Sequence, residues 1–214
     1  MSPAKDIRVW VFDLDNTLYS ASSTIYDAIG ERMTAYIMRA LDLEHAAAHE
    51  TRERYFWQYG ATVVGLARHH GVNASDFLAH VHDVDHDLLA PDEELNALIA
   101  ALPGRRIVFT NGGGGHAERV MESMGLTALF ERVFDIEHAL LAPKPQREAY
   151  ERLAGACGFS PSEAVLVEDT LRNLEPAHEM GFTTALVGAV HPEPRPPYVD
   201  YWAHDVKALL REWL

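Results

Sequence analysis

Ile7-Arg8-Val9-Trp10-Val11-Phe12-Asp13-Leu14-Asp15-Asn16-Thr17-Leu18 decides the fold. Its first six residues are rich in β-branched and aromatic side chains, the pattern of a short buried strand. The run ends in two aspartates one residue apart. Alternate side chains of an extended chain share a side, so Asp13 and Asp15 project together. Two carboxylates about 4 Å apart repel by about 4 kcal/mol at an effective dielectric of about 20. A shared proton, a lysine or a metal must offset that repulsion. Paired aspartates ordinarily serve a turn or a helix cap. Here the exit from a buried strand and the residues downstream favour a site.

Working outward, residues 106–110, 164–167 and 183–187 repeat the apolar strand pattern. Helical patterns closed by glycine lie between them: 116–124 before Gly125, 147–156 before Gly158, and 174–180 before Gly181, with Pro176 in a first turn. Strands alternating with helices predict an α/β domain with a mainly parallel, doubly wound sheet. Residues 22–102 break the alternation. Ile25, Ile29, Met33, Ile37 and Leu41 recur every fourth residue, and 45–59, 61–70 and 75–82 also read as helices. Residues 92–102 lead back to the sheet. A helical cap over residues 19–102 is therefore expected between the first and second strands, with 1–18 and 103–214 as the catalytic core. The proline-rich stretch 188–197 reads as a stiff surface connection, and Asp205 as the cap of a last helix over 206–213.

The chain has 214 residues and a formal net charge of −14. That size suits one domain with an insertion. The negative charge opposes a nucleic-acid polymer or an anionic membrane as partner, but not a small phosphorylated substrate met by a local cation. The single cysteine, Cys157, allows no intrachain disulfide and reads as a small buried thiol. The N-terminal apolar stretch is interrupted by Asp13 and Asp15, unlike a secretory signal, and no apolar run approaches a membrane span, so a cytoplasmic protein is expected.

Three further stations carry chemistry. Thr110-Asn111 ends the second strand and runs into Gly112-Gly113-Gly114-Gly115, a hydroxyl and backbone amides suited to cradling phosphate. His116 follows; it admits a catalytic role, but its ordinary reading is a helix-start residue with a solvated ring. Lys144 lies between Pro143 and Pro145, where a restricted backbone can fix its charge. Glu168-Asp169-Thr170 ends the third strand, with Asn173 beyond, so acidic groups again stand at a strand's carboxyl end. Magnesium keeps several waters and needs few carboxylates, so this pair together with Asp13 suffices to hold it.

Together these stations resemble the haloacid-dehalogenase-like (HAD) superfamily of phosphohydrolases over nearly the whole chain. The resemblance implies a Rossmann-like sheet with the insertion as an α-helical cap. It places the nucleophile at Asp13, the general acid/base at Asp15, the phosphate-binding hydroxyl at Thr110 and the family's lysine at Lys144. The metal station falls on Asp13, the Asp15 backbone, Glu168 and Asp169, with Asp169 favoured as the direct acidic ligand and Mg2+ as the cofactor. Thr17, Asn111, Gly112 and Asn173 join Thr110 and Lys144 as candidate phosphate- or substrate-binding residues. Leu18-Tyr19 with the serines after it, Tyr59-Gly60, Pro91-Asp92, Phe109-Thr110-Asn111, His116-Ala117 and Lys144-Pro145 look like the pyrimidine 5′-nucleotidase branch. That branch implies phosphate release from UMP and CMP. Glu168-Asp169 departs from the branch's more usual two aspartates, and the glycine run is longer than expected. Tyr19, Ser20, Tyr26 and Tyr59 are the candidates for reading the leaving group. The rivals are a phosphatase for another small ester such as a sugar phosphate, a metal-independent haloacid dehalogenase, and a non-enzymatic phospho-accepting domain.

Overall fold

The computed structural model describes residues 7–19, 24–189 and 192–214, apart from the side chains of Thr24 and Asp87. Ser20 and the serines after it lie outside the described residues.

Strand β1 (Val9–Phe12) is wholly buried, as its composition requires. Trp10 and Phe12 face one side of the sheet and Val9 and Val11 the other, each joining a separate apolar cluster. β1 pairs in parallel with β2 (Arg105–Phe109) on one side and β4 (Ala164–Glu168) on the other. β3 (Arg132–Phe134) extends the sheet beyond β2, and β5 (Thr183–Val187) and β6 (Tyr201–Ala203) extend it beyond β4, giving the order β3-β2-β1-β4-β5-β6. All five pairings are parallel. This is the Rossmann-like, doubly wound sheet that alternation predicts, and its order reverses beside β1. β3 and β6, three residues each, are additions to the four strands read from the sequence.

Helices cover both faces. α5 (Glu93–Ala101), α6 (Gly114–Ser123) and α9 (Val206–Trp213) pack with Trp10 and Phe12. α7 (Arg147–Cys157) and α8 (Leu171–Glu179) pack with Val9 and Val11. Asp205 caps α9 by accepting from the Ala208 amide at 2.7 Å, as its position before the helix predicts. α8 starts three residues before the expected 174, because Thr170 is the extended residue before the first turn, so Pro176 sits inside the helix and not in its first turn. Cys157 is buried at the end of α7, and burial pushes its thiol up. The proline-rich segment is mostly exposed where it is described, at 188–189 and 192–197.

Between β1 and α5 stand α1 (Thr24–Leu41), α2 (His45–Tyr59), α3 (Thr62–His70) and α4 (Ala74–Val81). They share their own apolar cluster, which includes Ile37, Tyr55, Leu66 and Phe77. α2 and α3 pack so closely that a Cβ at Gly65 would lie 2.3 Å from the Tyr55 ring. Among the described residues no helix is long and apolar enough to cross a membrane.

Candidate active site

The carboxyl ends of β1, β2 and β4 converge where the strand order reverses, and the helices of the insertion roof them. A cavity of about 430 Å³ lies between, lined by Asp13, Asp15, Thr110, Lys144, Glu168 and Asp169 below and by Tyr26, Ile29, Met33, Phe56 and Phe77 above. The α1 stripe thus divides: Ile29 and Met33 face the cavity, while Ile37 packs within the insertion.

Asp13 follows β1 directly, its amide donating to the Val167 carbonyl at 2.9 Å. Lys144, 2% exposed, donates to Asp13 Oδ1 at 2.6 Å, Glu168 Oε2 at 2.8 Å and the Phe109 carbonyl at 2.8 Å. All three ammonium protons are therefore used. The Lys144 loop is held by Asn111, whose Oδ1 accepts from the Lys144 amide at 2.8 Å and whose Nδ2 donates to the Lys144 carbonyl at 3.0 Å. The Asn111 side chain is thus engaged by the loop. Gly60 closes against the same loop at φ +88; a Cβ there would lie 2.5 Å from the Lys144 carbonyl. Gly60→Ala is expected to cost at least about 1–2 kcal/mol from backbone strain alone. Because the displaced atoms carry Lys144, urea unfolding and catalytic rate should fall together.

Beyond Asp13, Asn16 takes φ +66, a conformation asparagine tolerates, and the chain turns so that Tyr19 meets Asp15. The buried Tyr19 hydroxyl donates to Asp15 Oδ1 and so holds the carboxylate. Thr17 Oγ1 donates to Asp13 Oδ2 at 3.3 Å. Thr110 Oγ1 accepts from the Gly112 amide at 2.9 Å and faces Asp15 Oδ2 at 3.5 Å. Asn173 lines the cavity and is buried, its Oδ1 without a hydrogen-bond partner. Tyr26 lines the cavity too, whereas the Tyr59 hydroxyl pairs with His69.

His116 departs most from expectation. Its ring is not solvated: the residue is 1% exposed, with Nε2 2.9 Å from Asp15 Oδ1. The first turn of α6 faces inward here because Ala117, Val120 and Met121 must meet the sheet. His82 and His86, for which the sequence offered no signal beyond their number, stand beside it.

The electrostatics follow from crowding. Burial, reinforced by the Glu168 charge, pushes the Asp13 carboxyl up to about 7 against the pull of Lys144. Burial likewise outweighs Lys144 at Glu168 and raises it to about 7. Burial opposes the Lys144 charge, but the two carboxylates prevail and hold it above its ordinary range. Burial also raises Asp15, yet the hydrogen bond from His116, the charge of that ring when it is protonated, and the hydrogen bond from Tyr19 overcome it and bring the carboxyl down to about 2. Asp13, Glu168 and Asp169 offer ligand oxygens within 4.8 Å of one another. One lysine among three carboxylates leaves negative charge uncompensated, and the donors are all oxygen. That set fits a hard divalent cation such as magnesium. Both Glu168 oxygens are engaged, by Lys144 and by the Thr170 amide at 3.0 Å, which favours Asp169 as the direct acidic ligand.

The sequence pattern of haloacid dehalogenase-like hydrolases matches residues 7–181. The chain belongs to this hydrolase family. Phosphate metabolism protein 8 of Saccharomyces cerevisiae is 26% identical over 193 residues, 81% of this chain and 59% of the yeast protein, so the chain spans less than two thirds of that relative. The (S)-2-haloacid dehalogenase of Xanthobacter autotrophicus is 25% identical over 197 residues, 87% of this chain and 77% of that one. Among solved structures, the HAD-hydrolase YfnB of Bacillus subtilis bound to magnesium superposes with a TM-score of 0.63 at 16% identity, covering 97% of this chain and 98% of that one, a likeness of fold.

Proposed function

We propose that this HAD-family hydrolase is a magnesium-dependent phosphatase that forms a transient phosphoryl ester on Asp13, with pyrimidine nucleoside monophosphates such as UMP and CMP as substrates. The observation that carries the reading is the carboxylate pair ending β1. Asp13 is gripped by Lys144, and Asp15 opens on the same cavity. A halide leaves without a proton, whereas an alkoxide needs one, and Asp15 stands where a donor is required. A cavity of about 430 Å³ falls in the range of small-molecule sites. Residues 1–18 and 103–214 act in this reading as the catalytic core and 19–102 as the cap, with α5 as the cap's footing on the sheet.

An Asp13 oxygen forms a bond to phosphorus as the bond to the leaving oxygen breaks, and Asp15, whose carboxyl its own donors hold down to about 2, must take up a proton with the substrate and gives it to that oxygen. Water then attacks phosphorus and yields a proton to Asp15 while the bond to Asp13 breaks, releasing phosphate and restoring both groups. Lys144, Thr110 and the amides after it stabilise the phosphoryl oxygens. Magnesium, held by Asp13, Asp169 and the Asp15 carbonyl with Glu168 behind, would supply charge neutralisation at phosphorus. The insertion helices keep bulk water from the leaving group.

A screen of magnesium-dependent phosphate release tests the reading, using UMP, CMP, AMP, glucose 6-phosphate and p-nitrophenyl phosphate. Faster release from UMP and CMP supports it. Equal rates across the esters would remove the pyrimidine assignment. Halide release from a 2-haloacid in chelator, with no phosphate released from any ester, would replace the phosphatase with a dehalogenase.

Magnesium binding should also strengthen with pH. In the metal-free fold the Asp13 and Glu168 carboxyls are raised to about 7, so a cation must displace protons below that value and none above it. The rise in melting temperature on replacing chelator with Mg2+ is therefore expected to be small near about pH 5.5 and large near about pH 8.

A further inference from the structure

The histidines beside Asp15 form a chain whose polarity can be read from its ends. His116 Nε2 lies 2.9 Å from Asp15 Oδ1, His116 Nδ1 lies 3.0 Å from His86 Nε2, and Arg119 Nε donates to His86 Nδ1 at 3.3 Å. Arginine can only donate, and Asp15 Oδ1, which faces two donors, accepts whether Oδ2 is ionised or carries the proton to be delivered. Arg119 directs its Nε–H at His86 Nδ1 and so favours the tautomer with the His86 proton on Nε2, offered to His116 Nδ1, over one that donates to the nearby Val84 backbone. His116 is left with its one N–H on Nε2, directed at Asp15. Every bond in the chain points toward the carboxylate, and each imidazole has one tautomer that satisfies both neighbours.

The surroundings hold this arrangement. His116 and His86 are buried, and the His82 ring stacks on His116 with centroids 4.5 Å apart and planes 13° from parallel. Arg119 is fixed by a second bond from Nη2 to the His82 carbonyl at 2.9 Å. Tyr19 donates to the same Asp15 oxygen as His116 does. With both donors on Oδ1, Oδ2 is turned to the cavity side, 3.5 Å from Thr110 Oγ1. His82 ends α4 and His86 lies in the 3-10 turn that follows, so the chain is completed by the segment returning from the insertion helices.

We propose that His116, set in one tautomer by His86 and Arg119, is a positioning residue that fixes the Asp15 side chain so that Oδ2 delivers the proton to the leaving oxygen. The inference rests on the phosphatase reading. It accounts for three buried polar rings at a place where apolar packing would serve the fold as well.

The test compares leaving groups. p-Nitrophenolate departs without protonation; the alkoxide of UMP, AMP or glucose 6-phosphate does not. With the fastest of those three alkyl esters, His116→Ala should lower kcat by about 10²-fold, and by less than about 3-fold with p-nitrophenyl phosphate. His116→Gln keeps a donor for Asp15 and an acceptor for His86 and should recover most of the loss. Arg119→Met should show the same selectivity in weaker form. Imidazole 15N shifts of the wild-type protein should report the Nε2–H tautomer for both His86 and His116. Equal losses on both kinds of ester, a glutamine variant no better than alanine, or an Nδ1–H or cationic ring at either histidine overturns the positioning role alone. A wild type that releases phosphate from no ester overturns the phosphatase reading and this inference with it.

Discussion

Asp13→Asn should lower phosphate release by at least about 10⁴-fold, the scale on which enzymes lose turnover with their nucleophile. The amide has the shape of the carboxylate but cannot attack phosphorus. Little else should change. Lys144 keeps Glu168 and the Phe109 carbonyl as partners, and the crowding that pushes Asp13 up to about 7 is relieved by a neutral side chain. The variant should melt in chelator at the wild-type temperature or above it. Turnover near the wild-type rate would end the covalent mechanism, and circular dichroism during the same melt separates loss of chemistry from loss of fold.

Lys144→Met is expected to impair both. The ammonium is the counter-charge buried between Asp13 and Glu168, and removing one member of a buried ionic group typically costs about 3–5 kcal/mol. The loss has a definite pH dependence. Both carboxyls already have folded pKa values above the ordinary range, and without Lys144 they rise further. Groups raised on folding favour the native state at low pH and withdraw that support as pH rises through the folded value. The variant should therefore fall further below wild type at about pH 8.5 than at about pH 5.5, measured by urea unfolding in chelator. A deficit that does not grow with pH would mean that the lysine acts mainly by packing.

Much of this was legible from the chain itself. β1, β2, β4 and β5 are runs of β-branched and aromatic residues buried on both faces, a signal that needs no context. β3 escaped notice because Arg132-Val133-Phe134 is three residues long with an exposed arginine, and β6 because Tyr201-Trp202-Ala203 follows a proline-rich stretch and is as short. Such strands form because a neighbouring edge exists to receive them. Asp13, Asp15, Thr110, Glu168 and Asp169 could be brought together on paper because each ends a strand or closely follows one, and Lys144 because two prolines flank it ten residues beyond β3. Asn111 and Tyr19 were found as site residues, but their partners, the Lys144 loop and Asp15, are fixed by tertiary approach. His116 has no sequence signature distinguishing a solvated helix start from a buried one. His82 and His86 reach it across thirty or more residues of chain only once the insertion folds back, about the range at which local pattern carries no information.

The register of β1 with β2 has a consequence for how the chain can vary. Val9 sits opposite Arg105 and Phe12 opposite Val108, so the insertion leaves and re-enters the sheet at neighbouring strands. To the sheet, everything between is a single closed loop. Its entropic cost grows only with the logarithm of its length, about 0.6 kcal/mol for each doubling. Helices can be added to the roof, or exchanged for others, with hardly any effect on the strands beneath. The strands tolerate that freedom, but the return segment carrying His82 and His86 does not. A chain free to change what sits over the cavity is tethered at the two residues that reach back to His116.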